Sequence, residues 1–516
     1  MPRVRRLLHG TMDAPELFHL QNPNRKSPRS METLHIYNTL SRSKEPFEPI
    51  EEGFVGIYVC GPTVYGDPHL GHAKSYVSFD VVVRYLQWLG YRVRYVQNIT
   101  DVGHLTDDAD QGEDKLEKQA QIEKLEPMEI AEKYTYNYFR DMDKLGVRRP
   151  DISPRATGHI IEQIEMVRRL LDNDHAYETD GNVYFDVSSD EDYGRLSGRK
   201  VEEQESGARI ETASDKRSPE DFALWKKADD GHIMKWPSPW GPGYPGWHIE
   251  CSAMSTKYLG EHFDIHGGGL DNQFPHHECE IAQAEGAYRQ PFANYWMHNN
   301  MVTLEGQKMG KSLGNAISLD QFFRGDHELL SRAWDPQVIR FFLLQSHYRS
   351  TTDFSEDALE GAENGLKSLQ EMLRDIDGAD AGAGNAFDAK ALRSEVQARM
   401  NDDFNTAQAL AVLFEELRAL RKRINEDDAP ANLDEVKELL RGFVDGVLGL
   451  WPETEQDRGG RGDDKTEELV RVLLDLRSEA RRDKNFELAD RIRDRLVELG
   501  VVLMDREGRT DFRIKS

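Results

Sequence analysis

The sequence predicts an α/β protein: a parallel-sheet catalytic domain, interrupted by an inserted domain and followed by a C-terminal α-helical region. Three observations predict it. Phe54–Cys60 (FVGIYVC) is a β-branched and aromatic run of the kind that forms a buried strand. Gly61-Pro62 ends it, a helical pattern runs from Leu70 to Leu89 with Gly90 placed to close it, and Tyr91–Ile99 (YRVRYVQNI) reads as the next strand. Strand, turn, helix and strand make a βαβ unit, which implies a parallel sheet. The second observation is a change of character from about Asp107 to Lys235, charged and mixed, before the Pro/Gly/Trp-rich loop Trp236–Trp247 leads into a new ordered block, Ile249–Trp296. The third is that the chain from Ala316 onward is mainly helical in pattern.

Taken in order, residues 1–30 are basic (Arg3, Arg5, Arg6, Arg25, Lys26, Arg29) and carry no periodicity, so they read as a disordered extension or an artefact of start-codon choice. Residues 31–106 form the first half of the catalytic domain. Residues 107–235 form the insertion, with helices near Glu117–Leu145 and Thr157–Leu171 and a short strand at Asn182–Val187. Residues 236–315 form the second half, ending in the Gly- and Lys-bearing loop Met301–Asn315. Helical residues 316–384 close on the linker Ala379–Asn385. A bundle follows at 385–456, with Leu410, Leu413, Phe414, Leu417 and Leu420 on one helical face. After the linker Asp457–Asp464, residues 465–516 form a small terminal domain with two amphipathic helices, one around Leu469–Leu476 and one around Ala489–Leu496.

Composition narrows the function classes. At 516 residues the chain has room for roughly three domains of ~150 residues. No stretch approaches the ~18–20 apolar residues of a membrane span, and Leu7-Leu8 is too little for a signal peptide, so a soluble, cytoplasmic protein is expected. Three cysteines (Cys60, Cys251, Cys279) make no disulfide framework; metal binding or burial is expected instead. The net charge of −27 comes from 93 acidic and 66 basic residues, and arginine outnumbers lysine. Such charge self-repels unless screened, which leads us to expect a protein that works at molar salt, as in a halophile. It also opposes RNA binding except through local basic patches.

Four motifs can carry chemistry. His69-Leu70-Gly71-His72 stands at a helix start, where unpaired N–H groups and the helix dipole favour an anion and Gly71 lets a flat ligand such as a purine approach the backbone. Lys308-Met309-Gly310-Lys311-Ser312 places two lysines three apart, able to close on polyphosphate and to neutralise charge at a transferring phosphoryl or nucleotidyl centre. Cys60 and Cys251 join Pro275-His276-His277-Glu278-Cys279-Glu280, where His276 and Glu280 are i and i+4 on an expected helix. Cys279, at i+3, competes with Glu280. Spacing alone leaves two ligand sets open: three thiolates with one imidazole, or two thiolates with an imidazole and a carboxylate. Last, His266-Gly267-Gly268-Gly269-Leu270-Asp271 allows close backbone approach at Gly268 and offers Asp271 as an acceptor for a ribose, although a tight turn explains the glycines equally well.

Together these motifs resemble class I aminoacyl-tRNA synthetases. HLGH is similar to that family's HIGH motif, with Leu70 in place of Ile, and KMGKS to its KMSKS motif, with Gly310 in place of Ser. The longer matches are YVCGPTVYGDPHLGH (Tyr58–His72), NITDVG (Asn98–Gly103), PRAT (Pro154–Thr157), PSPWGPGYPGWHIECSAM (Pro237–Met254), HGGGLDNQFPHHECEIAQ (His266–Gln283), KMGKSLGN (Lys308–Asn315) and DDFNTAQAL (Asp402–Leu410). They resemble the cysteinyl-tRNA synthetases over about Met31 to Lys515. The resemblance implies a split Rossmann-type catalytic domain, a stem-contact region at 316–384, an anticodon-binding bundle at 385–456 and a tRNA-binding domain at 465–516. It implies one Zn²⁺ held by Cys60, Cys251, His276 and Glu280, with Cys279 an ordinary neighbour. It also implies Trp247 and Thr100 at the amino-acid pocket and Lys311 at the ATP; from the motifs themselves we expect ATP at His69, Gly71, His72, Gly268, Asp271 and Lys308 as well, with Mg²⁺ accompanying it. The implied reaction charges tRNA(Cys) with L-cysteine through an adenylate, by a monomeric enzyme with no membrane partner. Two rivals share the adenylation core: a ligase joining cysteine to an amino sugar, which lacks the anticodon-binding tail, and a non-catalytic RNA-binding paralogue. Gly310 removes a loop hydroxyl, and residues 1–30 have no counterpart in the family.

Overall fold

The computed structural model describes residues 33–102, 115–199, 215–229, 231–304, 306–308, 315–451, 470, 472–474, 476–478, 480–482, 485–498, 501–506 and 509–514. The extension 1–30, the linker Asp457–Asp464 and residues 309–314 of the lysine loop lie outside these.

Two strands, β1 (His35–Asn38) and β2 (Ser43–Pro46), pair antiparallel ahead of the main sheet. β3 (Phe54–Val59) is buried along nearly its whole length, as a strand covered on both faces must be. It leads into helix α1 (Leu70–Trp88), which returns the chain to β4 (Arg92–Gln97). Helices α2 (Lys115–Glu123), α3 (Pro127–Lys144) and α4 (Ile160–Asp172) follow. An antiparallel sheet comes next: β5 (Ala176–Thr179), β6 (Asn182–Phe185), β7 (Phe222–Lys227) and β8 (Gly243–Pro245). Helix α5 (Trp247–Leu259), β9 (Phe263–Gly269), α6 (Glu278–Tyr288) and β10 (Ala293–Asn299) complete the core. The central sheet has the order β10-β9-β3-β4, and every neighbouring pair is parallel.

That order positions the site. From β3 the chain crosses by α1 outward to β4, and from β9 it crosses by α6 outward to β10, in the opposite direction. The crossovers diverge between β3 and β9, and such a switch point opens a crevice at the C-terminal ends of the strands. Cys60 and the glycines of β9 stand at those ends; the Cys60 N–H donates to Gly267 O at 3.0 Å.

Beyond the sheet, β11 (Val302–Leu304) and β12 (Gln307–Lys308) form a hairpin, and β13 (Thr352–Phe354) pairs parallel with β11. Helices α7 (Leu319–Arg324) and α8 (Pro336–Leu344) lie between them. Then come α9 (Glu356–Gly378), α10 (Ala389–Asn401), α11 (Thr406–Asn425), α12 (Leu433–Leu440) and α13 (Phe486–Glu498), the last followed by the hairpin β14 (Val501–Arg506) and β15 (Arg509–Ile514). Leu410, Leu413, Leu417 and Leu420 of α11 are buried on one face. Among the described residues no helix is long and apolar enough to cross a membrane.

Two local expectations need correction. The stretch Glu117–Leu145 is two helices, because Lys124 takes a positive φ (58°) and Pro127, which has no N–H to donate, opens α3 at its first turn. The segment Pro275–Glu280 does not open one regular helix. Gln273–His277 is a π-type turn containing an extended Phe274, and regular helix begins only at Glu278.

Candidate active site

A cavity of about 540 Å³ opens at the switch point. Its lining includes His69, Gly71, His72, Thr100, Trp247 and Asp271, with Cys60, Cys251 and His276 among the same lining residues. Six separate stretches of chain thus meet in one crevice. Lys115, Asn98 and Asn299–Val302 also line it, none of which the sequence assigned a role in the site.

The rim is the first turn of α1. His69 is the N-cap, its Nδ1 accepting from the Gly71 N–H at 3.1 Å, while His72 Nδ1 accepts from the His69 N–H at 3.1 Å. The two imidazoles form a reciprocal capping box, a role normally taken by Ser or Thr with Glu or Gln. Their rings lie 4.0 Å apart. The first turn of a helix, with its dipole pointing at the cavity edge, suits an anion. The end of β9 and the turn Leu270–Asn272 after it bring Gly269 and Asp271 to the lining. Gly268 is turned elsewhere: a Cβ there would lie 2.7 Å from His277 Cε1, so this glycine admits an imidazole rather than a ligand.

The floor is a buried donor cluster. Cys60 Sγ lies 3.8 Å from Cys251 Sγ, 3.5 Å from Glu280 Oε1 and 3.3 Å from His277 Nε2. His276 Nε2 is 3.1 Å from Glu280 Oε1. The elements explain the convergence: Cys60 follows β3, Cys251 sits in α5 behind the sheet, His276 belongs to the π-type turn, and Glu280 to the first turn of α6. Two overlapping groups have their ligand atoms within 4.8 Å of one another: Cys60, Cys251, His276 and Glu280, and Cys60, His266, His277 and Glu280. Cys279 belongs to neither; its thiol faces Tyr193 Oη at 3.4 Å. Helix α6 therefore turns the carboxylate toward the cluster and the sulfur away.

The donor set fits Zn²⁺. Two thiols, an imidazole and a carboxylate, all buried, are the S, N and O donors this ion takes. Burial first, then neighbouring Cys251 and Glu280, push the Cys60 thiol well above its usual range, and burial also raises Cys251. Thiolates in such a place need a cation beside them.

Around the cluster stand further buried histidines, most of them given no role by the sequence. His266 Nε2 meets Glu280 Oε2 at 2.8 Å, and His248 Nδ1 meets His276 Nδ1 at 2.9 Å. His277 Nδ1 meets His298 Nε2 at 2.8 Å, and His298 in turn contacts Thr39 Oγ1 at 2.8 Å. Burial, reinforced by His266 and then His298, holds His277 far below its usual value, and His298 is pushed down to about 3. Burial therefore keeps His277 and His298 neutral at pH 7. The buried histidines come from four separate elements or turns, so only the doubled His276-His277 and the HGGG run hinted at them.

Trp247, the first residue of α5, stacks on His276 with centroids 4.4 Å apart and planes 22° off parallel. Thr100 is buried and accepts from Asn98 Nδ2 at 3.0 Å. Lys308 ends β12, and its side chain lies outside the described residues, as does all of Lys311.

Comparison with known proteins identifies the family. Residues 46–364 match the family model for the class I (C) tRNA synthetase catalytic domain, 395–451 a DALR domain, and 463–513 the cysteinyl-tRNA ligase anticodon binding domain. The chain is 55% identical to the cysteine–tRNA ligase of Chlorobaculum tepidum over 490 residues, covering 93% of this chain and 99% of that one. It is 52% identical to the cysteine–tRNA ligase of Thermus thermophilus, covering 92% and 98%. Among solved structures it is similar in fold to Mycobacterium tuberculosis methionyl-tRNA synthetase in complex with methionyl-adenylate, with a TM-score of 0.53 at 15% identity over 77% of this chain and 92% of that one.

Proposed function

The chain belongs to the cysteine–tRNA ligases of the class I synthetase family, and on that premise we propose that it joins L-cysteine to tRNA(Cys) in two steps at the switch-point cavity, as a soluble cytoplasmic monomer. The observation that carries this reading is the buried Cys60, Cys251, His276 and Glu280 cluster set into the cavity beneath the His69–His72 turn. The tail matching an anticodon-binding domain at 463–513 argues against the amino-sugar ligase, which has no use for one.

In the first step the substrate carboxylate attacks the α-phosphate of ATP. An oxygen–phosphorus bond forms, the bond to the β-phosphate oxygen breaks, and diphosphate leaves with its Mg²⁺. A carboxylate needs no general base, so catalysis is positioning plus charge stabilisation. We assign the first turn of α1, with His69, Gly71 and His72, to the phosphates and base, Asp271 to the ribose, and Lys308 and Lys311 to the charge that develops on the transferred group. In the second step a terminal ribose hydroxyl of the tRNA attacks the mixed anhydride and AMP leaves. Cys60, Cys251, His276 and Glu280 would hold Zn²⁺, which supplies a soft Lewis acid for the substrate's own sulfur. Trp247, stacked on His276, and Thr100 shape the space around that sulfur. A site that demands a thiolate rejects serine by a factor of order 10⁴–10⁵, so no editing domain is required.

Recognition of the tRNA falls to the helices after 385 and to the exposed Arg481, Arg482, Arg491 and Arg495 near the terminus. The excess of acid over base supports a protein adapted to molar salt.

The test is Cys251→Ser. Elemental analysis should find the zinc lost, and cysteine-dependent ATP–pyrophosphate exchange should nearly vanish. Retention of wild-type exchange would overturn the assignment. Lys311→Ala should slow adenylate formation by more than about tenfold while leaving zinc in place.

A further inference from the structure

Two residues past the HLGH motif, α1 buries a lysine. Lys74 is 1% exposed. Its ammonium donates to Thr352 Oγ1 at 2.8 Å, to Met301 O at 3.4 Å and to Ser350 O. Among the described residues all its hydrogen-bond partners are neutral, and burial lowers its pKa to about 8 with no carboxylate to offset the shift. A buried cation without a counter-ion is costly to fold around. A core contact alone would be served as well by methionine.

The three acceptors say what the ammonium does. Met301 stands immediately before β11, and Ser350 and Thr352 stand at the entry to β13. These two strands pair in parallel and support the β11–β12 hairpin, whose second strand ends at Lys308. Asp353 braces the hairpin tip, accepting from Thr303 Oγ1 at 2.5 Å and from the Gly306 N–H at 2.8 Å. One cation on the helix of His69 and His72 thus grips both backbone segments from which the lysine loop hangs. Its neighbour Ser75 lines the cavity, as do Met301 and Val302.

We infer that Lys74 is a positioning residue for nucleotide activation: its ammonium holds the β11–β12 hairpin, which ends at Lys308, in register with the His69–His72 turn, so that the two sides of the triphosphate site keep a fixed spacing. The inference rests on the reaction proposed above. Its acceptors explain why a lysine is kept. Met301 O also accepts from the Thr352 N–H at 3.2 Å, and Thr352 Oγ1 contacts Ser346 Oγ at 2.7 Å. Removing the ammonium therefore strands chiefly the Ser350 carbonyl, and the alignment suffers more than the fold.

The experiment compares Lys74→Met and Lys74→Arg with the wild type in cysteine-dependent ATP–pyrophosphate exchange, alongside zinc content and thermal midpoint. Lys74→Met should raise KM for ATP and lower kcat, together by about ten- to a hundredfold, the range expected of a misplacement near 1 Å. KM for cysteine and zinc content should stay within about twofold of wild type, because the thiol site lies on other elements. Lys74→Arg should recover part of the loss. Should Lys74→Met not fold, Thr352→Val, which keeps the shape and deletes one acceptor, should shift KM for ATP in the same direction. Wild-type ATP kinetics in Lys74→Met, or in Thr352→Val where that variant decides, would overturn the inference. So would a loss of cysteine affinity and thermal stability in step with ATP affinity. A wild-type enzyme showing no cysteine-dependent exchange would instead sink the proposed reaction.

Discussion

Arg340→Met should destabilise the catalytic unit more than any surface charge removal, and the structure sets the size of the loss. Arg340 is fully buried on α8. Its guanidinium meets Asp80 Oδ2 of α1 at 2.6 Å and donates to Leu448 O at 2.7 Å and Leu145 O at 3.1 Å. Asp80 also accepts from Arg84 Nε at 2.8 Å and from the Arg148 N–H at 3.0 Å, and Arg84 continues to Gly146 O at 2.6 Å. Through Arg340 and Arg84 this carboxylate is tied to α8, to the segment after α3 and to the turn after α12. Breaking a buried pair by deleting one partner costs about 3–5 kcal/mol. Arg84 remains beside Asp80, which favours the low end; two carbonyls lose a charged donor, at about 1–3 kcal/mol each if left bare. Some relaxation is certain in so connected a site, and a net loss of about 4 kcal/mol follows. At roughly 2–4 °C per kcal/mol for ~150–250 residues, and less for a longer unit such as this, that is at most about 8–16 °C in thermal midpoint. The assay is a double-mutant cycle on Arg340→Met, Asp80→Asn and their combination, followed by tryptophan fluorescence. The double variant should be less unstable than the sum by about 1–3 kcal/mol. A single-variant shift of under about 2 °C, or strict additivity, would show that the pair carries no such coupling.

Other expectations follow from the same contacts. Burial alone would raise the Asp80 pKa, but Arg340 and then Arg84 outweigh it and hold the carboxyl below its usual value. Its contribution to stability is therefore present above the unfolded carboxyl pKa near ~3.9 and lost as pH falls through the lower folded value, so Asp80→Asn should flatten the acid end of a stability–pH profile. Gly268→Ala should impair zinc retention, because its Cβ would press on a His277 ring already held by His298; elemental analysis showing full occupancy would contradict this. At ~0.1 M salt the wild type should lose activity and thermal stability relative to molar salt, and equal performance at both would refute the reading of the −27 charge.

What could be read from the sequence was whatever is local. The strand Phe54–Cys60, the helix starting at the HLGH motif and the next strand each announce themselves by periodicity over a few residues, and that suffices for a parallel βαβ unit. The helix N-terminus at His69 was legible for the same reason, although not that the two imidazoles would cap it by bonding to its own backbone. Where adjacent residues competed, locality failed. Cys279 and Glu280 differ by one step of about 100° around a helix, and the irregular turn Gln273–His277 before α6 makes the outcome depend on backbone geometry that no spacing rule contains.

The sequence by itself determined the central βαβ unit, which chemical groups the chain owns and the family to which they belong. Tertiary structure alone decided which groups meet. Cys60 and Cys251 stand 191 positions apart, yet their sulfurs lie 3.8 Å from each other, because β3 and the helix behind it pack through a sheet that neither encodes alone. The same holds for the group of buried histidines and for Lys74, whose charge looks like any helix-surface lysine until β11 and β13 close over it. Periodicity reports the environment of a segment along its own axis; burial and pairing across hundreds of residues depend on the path of the chain between them, which enters only when the whole sheet is assembled.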